Sequence, residues 1–170
     1  MSANKIFLDP KDLKPHIDEL RRRGSTVATA NGCFELIHVG HIRYLQAAKA
    51  LADVLIVAVN TDESIARIKP DRRPVNPDHE RFEILAALEP VDYVIPLSAT
   101  TPNSLIEAFR PEVHTKGTDY KLEDIPERPV VESYGGRVEL VGDPKDHSTT
   151  EMLRMLREAT PSGPDSGSTP

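Results

Sequence analysis

The chain predicts an α/β fold, a doubly wound and mostly parallel sheet with helices on both faces, and three observations predict it. Strand-like apolar runs alternate with segments of helical spacing along most of the sequence. One run, Val54 to Val59 (VLIVAV), is continuously apolar, as parallel strands covered on both faces are. Helix start and stop signals fall between the strands.

In order, Leu13, Ile17 and Leu20 recur at helical spacing, and Gly24 follows the basic Arg21 to Arg23, giving an N-terminal helix over 10–23. Val27 to Ala30 reads as a short buried strand. Ile42 to Ala52 is helical in composition, with Leu45, Ala48 and Leu51 along one side. After the apolar run, Asp62 is placed to cap a short helix to Ile68. Asn76 reads as an N-cap with Pro77 at the first helical position of a helix to Leu88. Tyr93 to Pro96 is strand-like, Thr101-Pro102 opens a helix through Phe109, and Val113 to Lys116 and Val138 to Val141 are two further strands. Ser148-Thr149-Thr150-Glu151 fits a capping box before Met152, Leu153, Met155 and Leu156. Right-handed crossovers follow from parallel pairing. Thr160 onward contains only Thr, Pro, Ser, Gly and Asp, which predicts a disordered tail over 160–170 behind one domain over 1–159.

Composition narrows the function. No apolar run approaches the roughly 20 residues that cross a bilayer, and Met1 to Pro10 lacks the pattern of a secretory signal. A single cysteine, Cys33, builds no disulfide framework within the chain. These features predict a cytoplasmic protein. The formal net charge of −6 disfavours nucleic acid and anionic membranes as partners. A polyanionic small substrate remains compatible if cations converge at one place, so Lys69, Arg72, Arg73, Arg81 and Lys116 are the positions to follow.

The segment Ala30-Asn31-Gly32-Cys33-Phe34-Glu35-Leu36-Ile37-His38-Val39-Gly40-His41 joins the first strand to the following helix. Ligands of open α/β sheets sit beyond the carboxyl ends of the strands. Gly32 gives the backbone freedom to turn and lets a ligand approach, and Gly40 removes a side chain where a phosphate needs room. His41 falls at the helix start, where unpaired N–H groups and the dipole favour an anion. Two imidazoles there can donate to phosphate oxygens whose charge grows in a transition state. Spacing alone leaves other readings open: an incidental H-x-x-H, a metal pair without the remaining ligands of a zinc site, and for Cys33 either a nucleophile or a small buried thiol.

Asn31 to His41 resembles the G-x-F-D-x-x-H-x-G-H signature of the cytidylyltransferase-like nucleotidyltransferase superfamily, whose fold is Rossmann-like. The resemblance continues through Val57-Ala58-Val59-Asn60-Thr61-Asp62, Arg73-Pro74-Val75-Asn76-Pro77 with Arg81, Lys116-Gly117-Thr118-Asp119-Tyr120, and Ser148-Thr149-Thr150. Within the superfamily this series is similar to the heptose 1-phosphate adenylyltransferases, over roughly Leu13 to Leu156. Such an activity is often fused to a sugar kinase, for which 170 residues leave no room. Two departures stand out: Glu35 where aspartate is usual, which pushes the carboxylate out by one methylene, and Thr118 in place of a glycine.

The resemblance implies transfer of AMP from ATP to D-glycero-D-manno-heptose 1-phosphate, with Mg²⁺ bridging the phosphates. The implied partners are ATP, a sugar 1-phosphate and a second copy of the chain in a homodimer or higher homo-oligomer. His38 and His41 would contact the triphosphate, with Gly32, Cys33, Phe34 and Gly40 around the nucleotide. Lys116 would point into the crevice as a catalytic residue, with Gly117 and Asp119 beside it binding substrate or phosphate; the alternative for Lys116 is a solvated loop lysine. Ser148, Thr149 and Thr150 would offer donors to phosphate, although a capping box alone explains them. Arg73 and Arg81 would bind the sugar phosphate or pyrophosphate, or form a basic helix face. Asn60 and Asp62 would meet sugar hydroxyls. No side chain is assigned to a metal. Close rivals are glycerol-phosphate cytidylyltransferases and FMN or pantetheine-phosphate adenylyltransferases; a rival of another class is a non-catalytic nucleotide-binding module.

Overall fold

A computed structural model of the chain describes residues 4–69 and 74–143, together with Met152, Arg154, Met155 and Glu158. The expected capping box at Ser148 to Glu151 and the tail over 160–170 lie outside the described residues. The elements run α1 (Pro10–Arg22), β1 (Val27–Gly32), α2 (Val39–Lys49), β2 (Val54–Asn60), α3 (Asp62–Ile68), α4 (Asp78–Ala86), β3 (Tyr93–Leu97), α5 (Asn103–Phe109), β4 (Val113–Gly117), α6 (Arg128–Ser133) and β5 (Arg137–Val141). A 3₁₀ turn at Leu122–Asp124 precedes α6.

The five strands form one parallel sheet in the order β3-β2-β1-β4-β5. Strand order reverses between β1 and β4, which makes their carboxyl ends the switch point of the sheet. β2 is buried along its whole length, as its uninterrupted apolar run requires. Residues alternate between two cores. Ala28, Ala30, Leu55, Val57, Val59 and Val94 face Leu45 and Ala48 of α2 and Phe82 and Leu85 of α4. Val27, Val54, Ile56, Ala58, Ile95 and Leu97 face Leu13 and Ile17 of α1 and Phe109 of α5. Lys5 to Phe7 closes the β3 edge through Val94 N–H to Lys5 O (2.8 Å) and Phe7 N–H to Val94 O (3.0 Å). No described helix is long and apolar enough to cross a membrane.

Three boundaries differ from expectation. α2 begins at Val39, so His38 is its N-cap and His41 lies inside the first turn. The cap of α3 is Thr61, whose hydroxyl accepts from Ser64 N–H at 3.2 Å; Asp62 sits one residue further in and is drawn to Arg81. Pro77, not Asn76, caps α4, because the Asn76 amide is committed elsewhere and donates to Glu35 O at 3.2 Å. α6 was not anticipated: Arg128–Ser133 is six residues with proline and two valines, too short and too weak in helical propensity to register.

The sheet splits at its switch point. β1 pairs with β2 up to Gly32↔Val59, and β4 pairs with β5 up to Gly117↔Val141, but β1 pairs with β4 only at Ala28↔Val113 and Thr29↔His114. Above those pairs, side chains replace the ladder. Thr115 Oγ1 donates to Thr29 O (3.0 Å), and Lys116 Nζ to Asn31 Oδ1 (2.8 Å). Tyr44 of α2 donates its hydroxyl to Thr115 O at 2.9 Å, and burial holds its phenol well above the usual range, so it remains a neutral donor.

Candidate active site

A cleft of about 820 Å³ opens at this split. One wall is the turn from β1 into α2, the other is the end of β4 with the residues after it, and the ends of α3 and β5 complete the rim. Of the residues singled out from sequence, Gly32, Cys33, Phe34, His38, Gly40, His41, Asn60, Lys116, Gly117 and Asp119 line it. Arg73, Ser148, Thr149 and Thr150 lie outside the described residues.

The turn is held in an unusual shape. Phe34 has a φ of 47°, a left-handed conformation that non-glycine residues rarely adopt. Its ring folds back so that a Cβ on Gly32 would meet it at 3.1 Å. Glycine at 32 therefore serves space rather than the torsional freedom expected for it; the turning residue is Phe34. The Phe34 ring also packs edge-on against His41, centroids 5.1 Å apart. His41 in turn stacks on His38 at 3.8 Å and 25°. The two imidazoles thus stand together at the N-terminal end of α2, within the cleft.

Arg81 and Asp62 are not brought to the cleft. Arg81 is 1% exposed and donates to Asn76 O (3.0 Å), Cys33 O (2.6 Å), Asn60 O (2.7 Å) and Asp62 Oδ1 (2.7 Å). A guanidinium so committed has no geometry left for a phosphate; it braces the turns after β1 and β2 from behind. Asp62, expected to meet sugar hydroxyls, is its counter-ion. Asn60 lines the wall, but its amide nitrogen is already engaged by Ser64 Oγ (2.9 Å) and Ala99 O (3.4 Å).

Among the described residues, Lys69 reaches the cleft from this side, its Nζ 2.7 Å from the buried Glu35 carboxylate. The extra methylene of Glu35 thus meets a lysine. Across the cleft, Lys116 is buried and paired with Glu127 at 3.0 Å, itself 3% exposed. Sequence reasoning missed Glu127, because a glutamate between two prolines and an arginine (Pro126-Glu127-Arg128-Pro129) reads as a solvated loop. It also passed over Arg43 and Asp143, an exposed ion pair at the mouth.

Two histidines are held neutral. Burial, and then the adjacent His38, pushes His41 down to about 4, with a Leu36 backbone hydrogen bond opposing. Burial, and then Lys116, pushes His114 down to about 3. In the unfolded chain both titrate near 6.5. Their contribution to stability is therefore complete above pH ~6.5 and is lost as pH falls toward 4, since the unfolded state binds the extra protons. The urea midpoint is expected to drop between pH 7.5 and 4.5, by about 1.4 kcal/mol of stability per pH unit and per histidine at full effect. His114→Asn, which does not titrate, should make the slope shallower; an equal slope in wild type and variant would contradict the assignment to His114.

A parallel sheet whose switch point carries stacked histidines at a helix N-terminus is the arrangement that the resemblance to the α/β nucleotidyltransferases implies. Comparison with known proteins agrees: the profile of the family described as cytidylyltransferase-like matches residues 29–162, and the chain belongs to that family. It is 44% identical over 146 residues to the bifunctional protein HldE of Syntrophotalea carbinolica, covering 86% of this chain and 30% of the relative. It is 47% identical over 139 residues to HldE of Geobacter sulfurreducens, covering 82% and 28%. The chain thus spans less than a third of the length of these curated relatives. Among solved structures, the lipopolysaccharide core biosynthesis protein of Thermoplasma volcanium superposes with a TM-score of 0.59 at 29% identity, covering 69% of this chain and 95% of that one.

Proposed function

We propose that the cleft transfers AMP from ATP to D-glycero-D-manno-heptose 1-phosphate, giving ADP-heptose and pyrophosphate. The observation that carries the transfer chemistry is the His38–His41 pair at the head of α2. An oxygen of the sugar phosphate attacks the α-phosphorus in line, the bond to the bridging oxygen of pyrophosphate breaks, and the electron pair leaves with pyrophosphate. Positioning and fixed donors suffice, with no covalent enzyme intermediate. The imidazole N–H groups and the first-turn N–H groups of α2 stabilise charge on the phosphate oxygens. Lys69 and Lys116 both line the cleft.

Mg²⁺ belongs to the same reading. Imidazole and backbone N–H are not ligand types it favours, so the ion would be held chiefly by phosphate oxygens and water, as Mg²⁺ prefers. When bound, it neutralises the charge of the triphosphate. A homodimer or higher homo-oligomer and a cytoplasmic location, where ATP is at hand, complete the reading. The choice of heptose is supported by the motif series and by the likeness to a lipopolysaccharide core biosynthesis protein.

The test is pyrophosphate release with Mg²⁺, ATP or CTP, and both anomers of the heptose phosphate. Turnover with ATP and one anomer is expected. Turnover only with CTP or another acceptor would replace the substrate and keep the chemistry; nucleotide binding without turnover on any pair would replace the enzyme by a binding module.

A further inference from the structure

Glu127 stands at the N-cap position of α6 yet makes no capping hydrogen bond. Its side chain turns to the cleft instead, where Oε1 accepts from Lys116 Nζ at 3.0 Å. The second oxygen, Oε2, is buried and has no hydrogen-bond partner among the described residues. A buried carboxylate oxygen left unmatched is unfavourable, and it marks a place where a ligand donor belongs. Lys116 Nζ has three hydrogens: Asn31 Oδ1 and Glu127 Oε1 take two, and Nζ also lies 5.5 Å from the centre of the Tyr120 ring, a weak partner that a ligand hydroxyl can displace. The pair therefore offers a ligand one acceptor and one donor side by side on a single wall.

That combination selects the ligand group. The pair is neutral overall, and Oε2 would repel a phosphate. A hydroxyl both donates and accepts, and adjacent ring hydroxyls match a site in which one partner only accepts and the other only donates. We propose that Lys116 and Glu127 form a subsite for a vicinal diol of a sugar ring, Oε2 accepting from one hydroxyl and Nζ donating to its neighbour. The subsite rests on the nucleotidyl-transfer reading and changes the part expected of Lys116 from the resemblance, from a catalytic cation to a sugar contact. Two sugars carry such a diol: the ribose of the nucleotide and the ring of the acceptor.

The test compares wild type with Glu127→Gln, which keeps the length of the side chain and an acceptor for Lys116. Calorimetry measures binding of ATP, 2′-deoxy-ATP and 3′-deoxy-ATP, and pyrophosphate release gives kcat and KM for the sugar phosphate. If the diol is that of ribose, wild type binds ATP about tenfold tighter than either deoxy analogue, and Glu127→Gln loses the discrimination against the analogue lacking the hydroxyl that Oε2 accepts from while keeping it against the other, which Nζ still contacts. If it is that of the acceptor, ATP binding is unchanged in the variant while the acceptor KM rises about tenfold with kcat little altered. A wild type that transfers AMP, with no discrimination against deoxy-ATP and with variant constants all within about twofold, overturns the diol subsite and spares the transferase. A wild type that neither binds ATP nor releases pyrophosphate overturns both. The wild-type comparison of ATP with its deoxy analogues and of sugar phosphates lacking single hydroxyls reads the subsite even if the variant fails to fold.

Discussion

His41→Ala is expected to lower kcat by about 10²- to 10³-fold, the loss typical when one preorganised donor to a developing oxyanion is removed. His41 is half-buried, stacked on His38 and braced by the Phe34 ring, so its position is set before any ligand arrives. It titrates near 4, so at pH 7 it is a neutral imidazole that donates one hydrogen bond. The kcat/KM profile, which reports the ligand-free enzyme, should therefore show no inflection from His41 near 6.5. Stability should change by no more than about 1–2 kcal/mol, because the ring is only partly buried. Steady-state pyrophosphate release and urea unfolding of the same preparations check both statements. A loss of activity below about threefold would remove His41 from the chemistry.

Arg81→Ala is expected to act on stability first and on turnover through it. The substitution leaves the carbonyls of Asn76, Cys33 and Asn60 without their donor. Unmatched buried acceptors of this kind cost about 1–3 kcal/mol each and are not additive, so a net loss of about 3–5 kcal/mol is expected. At this chain length that corresponds to a fall in melting temperature of about 10 °C or more. Turnover should also fall in the folded fraction, because two of those carbonyls belong to the turns that carry the cleft. Arg81→Lys should recover little, since a single ammonium cannot reproduce the fork of donors. A melting temperature within about 2 °C of wild type would show that the network is dispensable.

These two variants also mark what the sequence could and could not reveal. The sheet was legible because burial on both faces demands uninterrupted apolar residues, and β2 supplies seven buried positions in a row. The histidine end of the cleft was legible because its residues are contiguous and flanked by glycines. Arg81 was misassigned to phosphate because charge in a sequence does not report burial; only the packed turns reveal that its donors face inward. Glu127 was invisible for the converse reason: its partner is eleven residues away, across a turn and a short helix start that no periodicity announces. Glu35 and Lys69, thirty-four residues apart, meet only because β1 and the end of α3 converge on the same rim.

The gap between β1 and β4 has a consequence for how such a protein diversifies. Backbone ladders are rigid, and altering their spacing means altering the fold. Here the two halves of the sheet are kept apart, and above Thr29 and His114 the described residues that hold that end together are Asn31, Tyr44, Thr115 and Lys116. The gauge of the crevice is thus written in a few side chains. Point substitutions can widen or narrow it while every strand keeps its register, which gives lineages built on this framework a short mutational route from one acceptor to another.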